Sequence, residues 1–225
     1  MELNADFGRR VVLHTADMEW LNSPMPGVQR RMLDRIGNEV ARATSVVKYD
    51  PGSKFSPHVH VGGEEFLVLE GVFSDEHGDF PVGSYIRNPP GSSHTPRSLP
   101  GCVIFVKLWQ FDPDDRRQVR LQIQEMDTQT DPQRANVRVT ELYQDDRETV
   151  CVEYWGAGAI VQLSAPEGAE FLVLEGDFTD AGDTLSRHSW LRIPMGGELH
   201  AIAGERGATV WVKRRHLRFV MPPLT

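Results

Sequence analysis

The sequence is short of cysteine, of long apolar runs and of positive charge, and each shortage removes a class of protein. Only two cysteines, Cys102 and Cys151, occur in 225 residues, and they form no C-x-x-C pair. That excludes a cysteine-built metal or redox site and points to two free thiols in strands of a cytosolic protein. Runs of aliphatic and aromatic residues reach only four, at Phe66 to Leu69, Val103 to Val106 and Phe171 to Leu174. A membrane-spanning helix needs ~18. Met1 to Arg10 has no apolar core of signal-peptide type, so a cytoplasmic location is expected, with no membrane partner. Lys and Arg total 24 against 32 Asp and Glu, a net charge of −8. An acidic surface argues against a nucleic-acid partner, because phosphates select basic faces. No phosphate loop, nucleotide fingerprint or Ser-His-Asp order is present.

What is abundant is glycine and proline, 20 and 15 residues, together with short branched and aromatic runs. This combination reads as many turns between short strands, an all-β sandwich or barrel. An internal repeat then settles the organisation. Glu65 to Gly71 recurs letter for letter at Glu170 to Gly176, an offset of 105. Phe73, Asp75, Pro89 and Gly91 are matched by Phe178, Asp180, Pro194 and Gly196 at the same offset. Gly101 to Lys107 resembles Gly207 to Lys213 at an offset of 106, which implies one inserted residue, placed after Gly196. Two repeats of about 105 residues therefore account for the chain. The expected division is a first barrel at 1–115, a connection at 116–136 and a second barrel at 137–225. Val11 to His14 reads as a strand added to one barrel, and Gln118 to Gln124 as an edge strand.

The chemistry lies in the first repeat. Gly52 is followed after five residues by His58-Val59-His60, then by Glu64 and Gly71. Gly83 is followed by Pro89-Pro90-Gly91 and His94. On a strand, positions i and i+2 share a face, so His58 and His60 can present two imidazoles together. Gly62-Gly63 allows a tight reversal that brings in Glu64, and the Pro89–Gly91 turn returns His94 to the cluster. Glu65 competes for the carboxylate role, but strand alternation turns it away if no bulge intervenes. Three imidazoles and one carboxylate suit Zn, Fe(II), Mn(II) or Ni(II) better than Ca or Mg. One divalent metal ion held by His58, His60, Glu64 and His94 is expected, with zinc first among these metals. In the second repeat the same positions hold Leu163, Ala165 and Ala169, and the inserted residue aligns His200 with His94. That repeat reads as a degenerate barrel without a metal. Tyr85, Arg87 and Lys107 stand in strands as residues that could meet a substrate or line the rim.

These spacings are the two motifs of the cupin superfamily, G-x5-H-x-H-x3-E-x6-G and G-x5-P-x-G-x2-H, with Ser98 where the second usually continues to Asn. The chain resembles a bicupin, two tandem jelly-roll barrels. Gly27 to Phe111 resembles the cupin domain of ChrR-type anti-sigma factors, which is related to acetylacetone and dihydroxyacetophenone dioxygenases. The residues that carry this are Met32 to Arg35, Glu64 to Gly71, Asp75 to Gly78, Asn88 to His94 and Gly101 to Lys107. The resemblance implies a divalent metal at His58, His60, Glu64 and His94. It also implies a sensory, transcription-regulatory role, with a sigma factor as the implied partner. The His and paired-Cys zinc motif through which those factors bind sigma is missing here, so the resemblance covers their sensing half. A metal-dependent dioxygenase acting on a small β-diketone or aromatic ketone is the alternative. Four protein ligands complete a tetrahedral zinc shell, whereas an octahedral Fe(II), Mn(II) or Ni(II) keeps two positions for a small-molecule ligand. A homo-oligomer, a dimer first, is expected.

Overall fold

The computed structural model of the protein describes residues 1–38 and 40–222, and they form the expected all-β architecture. Among the described residues the helical elements are three short 3-10 turns, Thr15–Asp17, Ile123–Glu125 and His216–Phe219. Antiparallel strands make up the rest of the regular structure. Their alternation is plainest at Ile160–Ala165, where Val161, Leu163 and Ala165 point inward and Ile160, Gln162 and Ser164 point out. This is the period of two that a half-buried strand imposes.

The chain folds into two compact units. The first gathers Met1–Ala5 and Glu19–Glu125, the second Asp6–Met18 and Met126–Val220. The main sheet of the first runs Val28–Gly37, Ala41–Tyr49, Cys102–Leu108, Glu64–Asp75, Ser84–Asn88, Val119–Gln122. That of the second runs Val137–Gln144, Thr149–Trp155, Gly197–Arg214, Ala169–Asp180, Ser189–Ile193, Val11–His14. The two orders match strand for strand, and so does the register at the last pair. Tyr85 faces Leu121 and Arg87 faces Val119, just as Trp190 faces Leu13 and Arg192 faces Val11. The leading strand of each repeat thus lies in the unit formed mainly by the other repeat. Repeats and compact units have different memberships.

The identical heptapeptides serve backbone geometry. In each long strand one residue, Leu69 or Leu174, is bulged out of the ladder. Two residues later Gly71 and Gly176 both adopt φ of 70°. A Cβ at either would lie 2.0 Å from the carbonyl oxygen of Gly101 or Gly207. Only glycine accepts both the conformation and the contact.

Each unit has its own apolar core. In the first, Phe66, Val68, Phe73, Ile86, Cys102, Ile104 and Val106 form one cluster. In the second, a larger cluster includes Val161, Leu163, Ala165, Ala169, Phe171, Phe178, Leu191, Leu199 and Val212. Both cysteines are free and buried, and burial raises the thiol pKa of each, that of Cys102 to about 11. The residues alternating with Phe66 and Val68 occupy the opposite face of the sheet and are buried too. Tyr85, Arg87 and Lys107 belong there, buried on that face and not at a rim, which corrects the sequence reading. Tyr85 Oη donates to Glu65 Oε1 at 2.6 Å, and Arg87 lies 3.8 Å from Glu65 and 3.1 Å from Asp115. Lys107 Nζ donates to Thr44 at 2.9 Å. Charges tolerate such burial only when paired in this way.

Candidate metal centre

The site is made by three turns that bring short segments to one end of the first unit. His58–Val59 pairs with Ser93–His94 so that His58 stands opposite His94. The backbone of His60 is tied to the proline turn on both sides: its N–H donates to Ser92 O at 2.9 Å, and its carbonyl accepts from Gly91 N at 2.9 Å. The Gly62-Gly63 reversal then leads into Glu64, the first residue of the long strand. Neither glycine could carry a side chain, because a Cβ would strike the Trp109 ring at 2.1 Å or the Phe111 ring at 2.4 Å. Those two rings hold the ligand-bearing loop in place, a contribution that the motif spacing did not reveal.

The three imidazoles converge. His58, His60 and His94 each offer a nitrogen, all within 4.8 Å of one another. Their ring centroids are 4.6–4.9 Å apart and the rings stand at 72–79°. Glu64 joins from the side of His60 and His94, its Oε2 at 3.4 and 3.6 Å from their Nε2 atoms. Glu65 points to the opposite face and takes no part. His58 is exposed, whereas His60, Glu64 and His94 are buried, so the cluster opens to solvent on the His58 side.

Second-sphere groups orient these donors. His58 Nδ1 donates to Ser56 O at 3.2 Å and His94 Nδ1 to the Asp75 carboxylate at 3.3 Å. Each bond places the proton on Nδ1 and leaves Nε2 with its lone pair. Asp75 is itself anchored by His77 N at 2.7 Å. Asn88 donates to Glu64 Oε2 at 3.1 Å and accepts from Gln118 at 3.1 Å. Burial lowers the pKa of His60, and neighbouring His94 and His58 add to this against the pull of Glu64. At His94 burial also lowers the pKa, but Asp75 and Glu64 outweigh it and the net shift is upward. The hydrogen bond to His94 and that from His77 likewise carry Asp75 downward against burial.

The decisive test of fit is at the nitrogens. His60 Nε2 and His94 Nε2 are buried and make no hydrogen bond. An unpartnered buried polar atom is costly, and here two face the same carboxylate oxygen. A divalent cation would satisfy both lone pairs and the anion together. The three-histidine group can hold a metal ion, and its donors suit a borderline metal.

Residues 8–112 match the model of the ChrR Cupin-like domain family. Over those residues the chain is similar to a cupin domain. Solved structures with a similar fold include a candidate dioxygenase from Nostoc punctiforme, with a TM-score of 0.77 and 16% identity over 97% of this chain and 87% of that one. A bacterial pirin from Escherichia coli in complex with nickel(II) aligns with a TM-score of 0.66 and 14% identity, over 96% of this chain and all of that one. A variant of the oxalate decarboxylase of Bacillus subtilis aligns at 0.62 and 11%, over 91% and 76%. Identities this low establish a shared fold alone. No curated protein sequence matches the chain.

The second unit shows what the absence of such a donor cluster looks like. Leu163 stands opposite Leu199, as His58 stands opposite His94. Leu199, fully buried, therefore occupies the His94 position. His200 is displaced to the outside, 62% exposed and paired with Glu198 at 3.0 Å, which corrects its alignment with His94. The inserted residue lies later, between Ile202 and Ala208 within the strand Gly197–Arg214, because Thr179 still faces Ile202 at the earlier offset and Gly176 faces Ala208 at the later one. No ligand position of the second unit retains a donor. Two clefts there, of about 1170 and 780 Å3, are lined by other residues, including Arg138, Tyr154 and Arg206 in the larger. Their size does not make them the chemical centre, since neither gathers a comparable donor set.

Proposed function

We propose that His58, His60, Glu64 and His94 hold one divalent metal, and that the protein is a sensory, transcription-regulatory cupin of ChrR type whose metal centre meets a small ligand. The observation that carries this reading is the contrast between the units. A sheet of the same strand order carries apolar groups at all four matched positions, Leu163, Ala165, Ala169 and Leu199. A metal is therefore not a requirement of the fold, and four donors in one unit call for another use. The match of residues 8–112 to the ChrR cupin-like model supports the regulatory class.

A divalent ion bound there would supply Lewis-acid polarisation of an oxygen-bearing ligand. The chain's own groups do the rest. Ser56 and Asp75 keep His58 and His94 in the tautomer that offers Nε2, and Asn88 holds the Glu64 carboxylate in place. Phe66, Val68 and Phe73 make the inner wall dry, while His58 leaves an approach from solvent. This open approach beside an apolar wall also favours a second reading, a metal-dependent dioxygenase for a small β-diketone or aromatic ketone.

Elemental analysis of protein purified without added metal tests the shared premise, with about one divalent ion per chain expected. Adding acetylacetone then separates the readings. Oxygen uptake supports the dioxygenase, whereas retention of a sigma factor on the immobilised protein without oxygen uptake supports the regulator. Metal content unchanged after H58A and H94A substitution would overturn both.

A further inference from the structure

Aromatic residues with a polar tip usually find a hydrogen-bond partner when they are buried. The two units treat one such position differently. Trp155 stands between Val137 and Ala208 in the second unit, and Tyr49 stands between Val28 and Cys102 in the first. They are counterparts on the inward face of equivalent strands. The Trp155 indole N–H is satisfied internally, donating to the fully buried Glu153 at 2.8 Å. The strand of Tyr49 has Val47 where that carboxylate stands. Tyr49 Oη has no hydrogen bond among the described residues, and the residue is only half-buried.

The surroundings of Tyr49 join it to the metal centre. Its ring packs edge-on against Phe55 at 5.1 Å and Phe73 at 5.9 Å, and Phe73 in turn lies 5.7 Å from the His94 ring. Phe55 precedes His58 by three residues, so both flanks of Tyr49 lead to ligands. Burial, with the Glu64 carboxylate adding to it, raises the pKa of the hydroxyl, which therefore stays protonated as a donor. A partly exposed donor flanked by two aromatic rings and bonded to no acceptor among the described residues is free to meet a ligand's oxygen.

We propose that Tyr49 is a ligand-contact residue, donating a hydrogen bond from its hydroxyl to a carbonyl or carboxylate oxygen of the small molecule that enters the first barrel. The inference rests on the reading of that barrel as a ligand-meeting metal centre, and it adds the recognition chemistry. The ligand must carry an oxygen acceptor at some remove from its contact with the histidines. A two-oxygen molecule such as a β-diketone or a keto acid meets that need.

Wild type and Y49F are loaded with Co(II), their metal content is measured, and each is titrated with acetylacetone while the visible spectrum is followed. Both are expected to hold about one Co(II) per chain. Y49F should bind acetylacetone about tenfold more weakly, the effect of one hydrogen bond. In parallel, Zn(II)-loaded wild type labelled at tyrosine 13Cζ is titrated with the same probe. The Tyr49 resonance, assigned by its loss in Y49F or by replacing the other three tyrosines in turn, should shift. Equal affinities in the two proteins, or a stationary Tyr49 resonance at saturation, would overturn the proposal. Failure of wild type to hold Co(II) would overturn instead the metal reading beneath it.

Discussion

The two units of this protein share a strand order, a bulge and a glycine at the same place in the long strand, yet four matched positions carry donors in one and apolar groups in the other. His58, His60, Glu64 and His94 in the first correspond to Leu163, Ala165, Ala169 and Leu199 in the second. The replacements are what a core requires once no cation is there to satisfy the donors: small or branched apolar groups that leave no lone pair orphaned. The retained Asp tells the same story. Asp75 orients His94, whereas Asp180 accepts a hydrogen bond from His200 N and pairs with Arg10 at 2.9 Å. One carboxylate serves a ligand and its counterpart serves the fold. Asn88, which steadies Glu64, gives way to Ile193 along with the ligand it served.

The largest test is to turn the first interior into the second. The quadruple variant H58L/H60A/E64A/H94L should lose all bound metal by elemental analysis. It should also unfold in urea no more easily than metal-free wild type, with a gain of about 1–3 kcal/mol where buried orphans are removed. A large loss of stability would mean that the donors support the fold after all.

The second unit buries a different charge. Glu153, fully buried, accepts both guanidinium nitrogens of Arg134 at 2.8 and 2.9 Å. Arg134→Ala should cost about 3–5 kcal/mol in denaturant unfolding, because it strands a carboxylate in an apolar interior. Metal content should not change.

A smaller effect separates the two aspartates. Asp75→Asn should weaken metal affinity about 10–100-fold in a competitive chelator titration, as expected when an orienting partner of a ligand is altered. Asp180→Asn should leave that affinity where it was. Smallest of all, His200→Ala should alter neither metal content nor, beyond about 0.5 kcal/mol, stability, since its ion pair is exposed. Metal loss in that variant would make His200 a ligand after all and break the assignment of Leu199.

Much of this was legible in the chain. The repeated Glu-Phe-Leu-Val-Leu-Glu-Gly announced two copies of one unit, and the spacing of His58, His60, Glu64 and His94 picked out four side chains that the fold places together. What local patterns could not carry was pairing at long range. Where the inserted residue sits depends on which residues face each other across a ladder, and His200 moved to the outside for that reason alone. The contacts that Asp75 makes with His94 and Asn88 with Glu64 were not legible, because they join residues distant in sequence. Arg87 and Lys107 looked like surface residues because a charged side chain in a strand usually is one. Their partners are supplied only by the folded sheet.

The exchange of leading strands has a consequence for the candidate metal centre itself. A lone repeat of this design could complete its sheet only by borrowing a strand from a second molecule. Linking two repeats makes the loan intramolecular, at an effective concentration in the millimolar range rather than that of a free partner. One copy is then released from keeping its own chemistry, provided it goes on lending. The strand Val119–Gln122 that opens the second repeat lies beside Ser84–Asn88, and Gln118 just before it holds Asn88, which holds Glu64. The repeat with apolar groups at those positions still reaches one of its neighbour's candidate ligands.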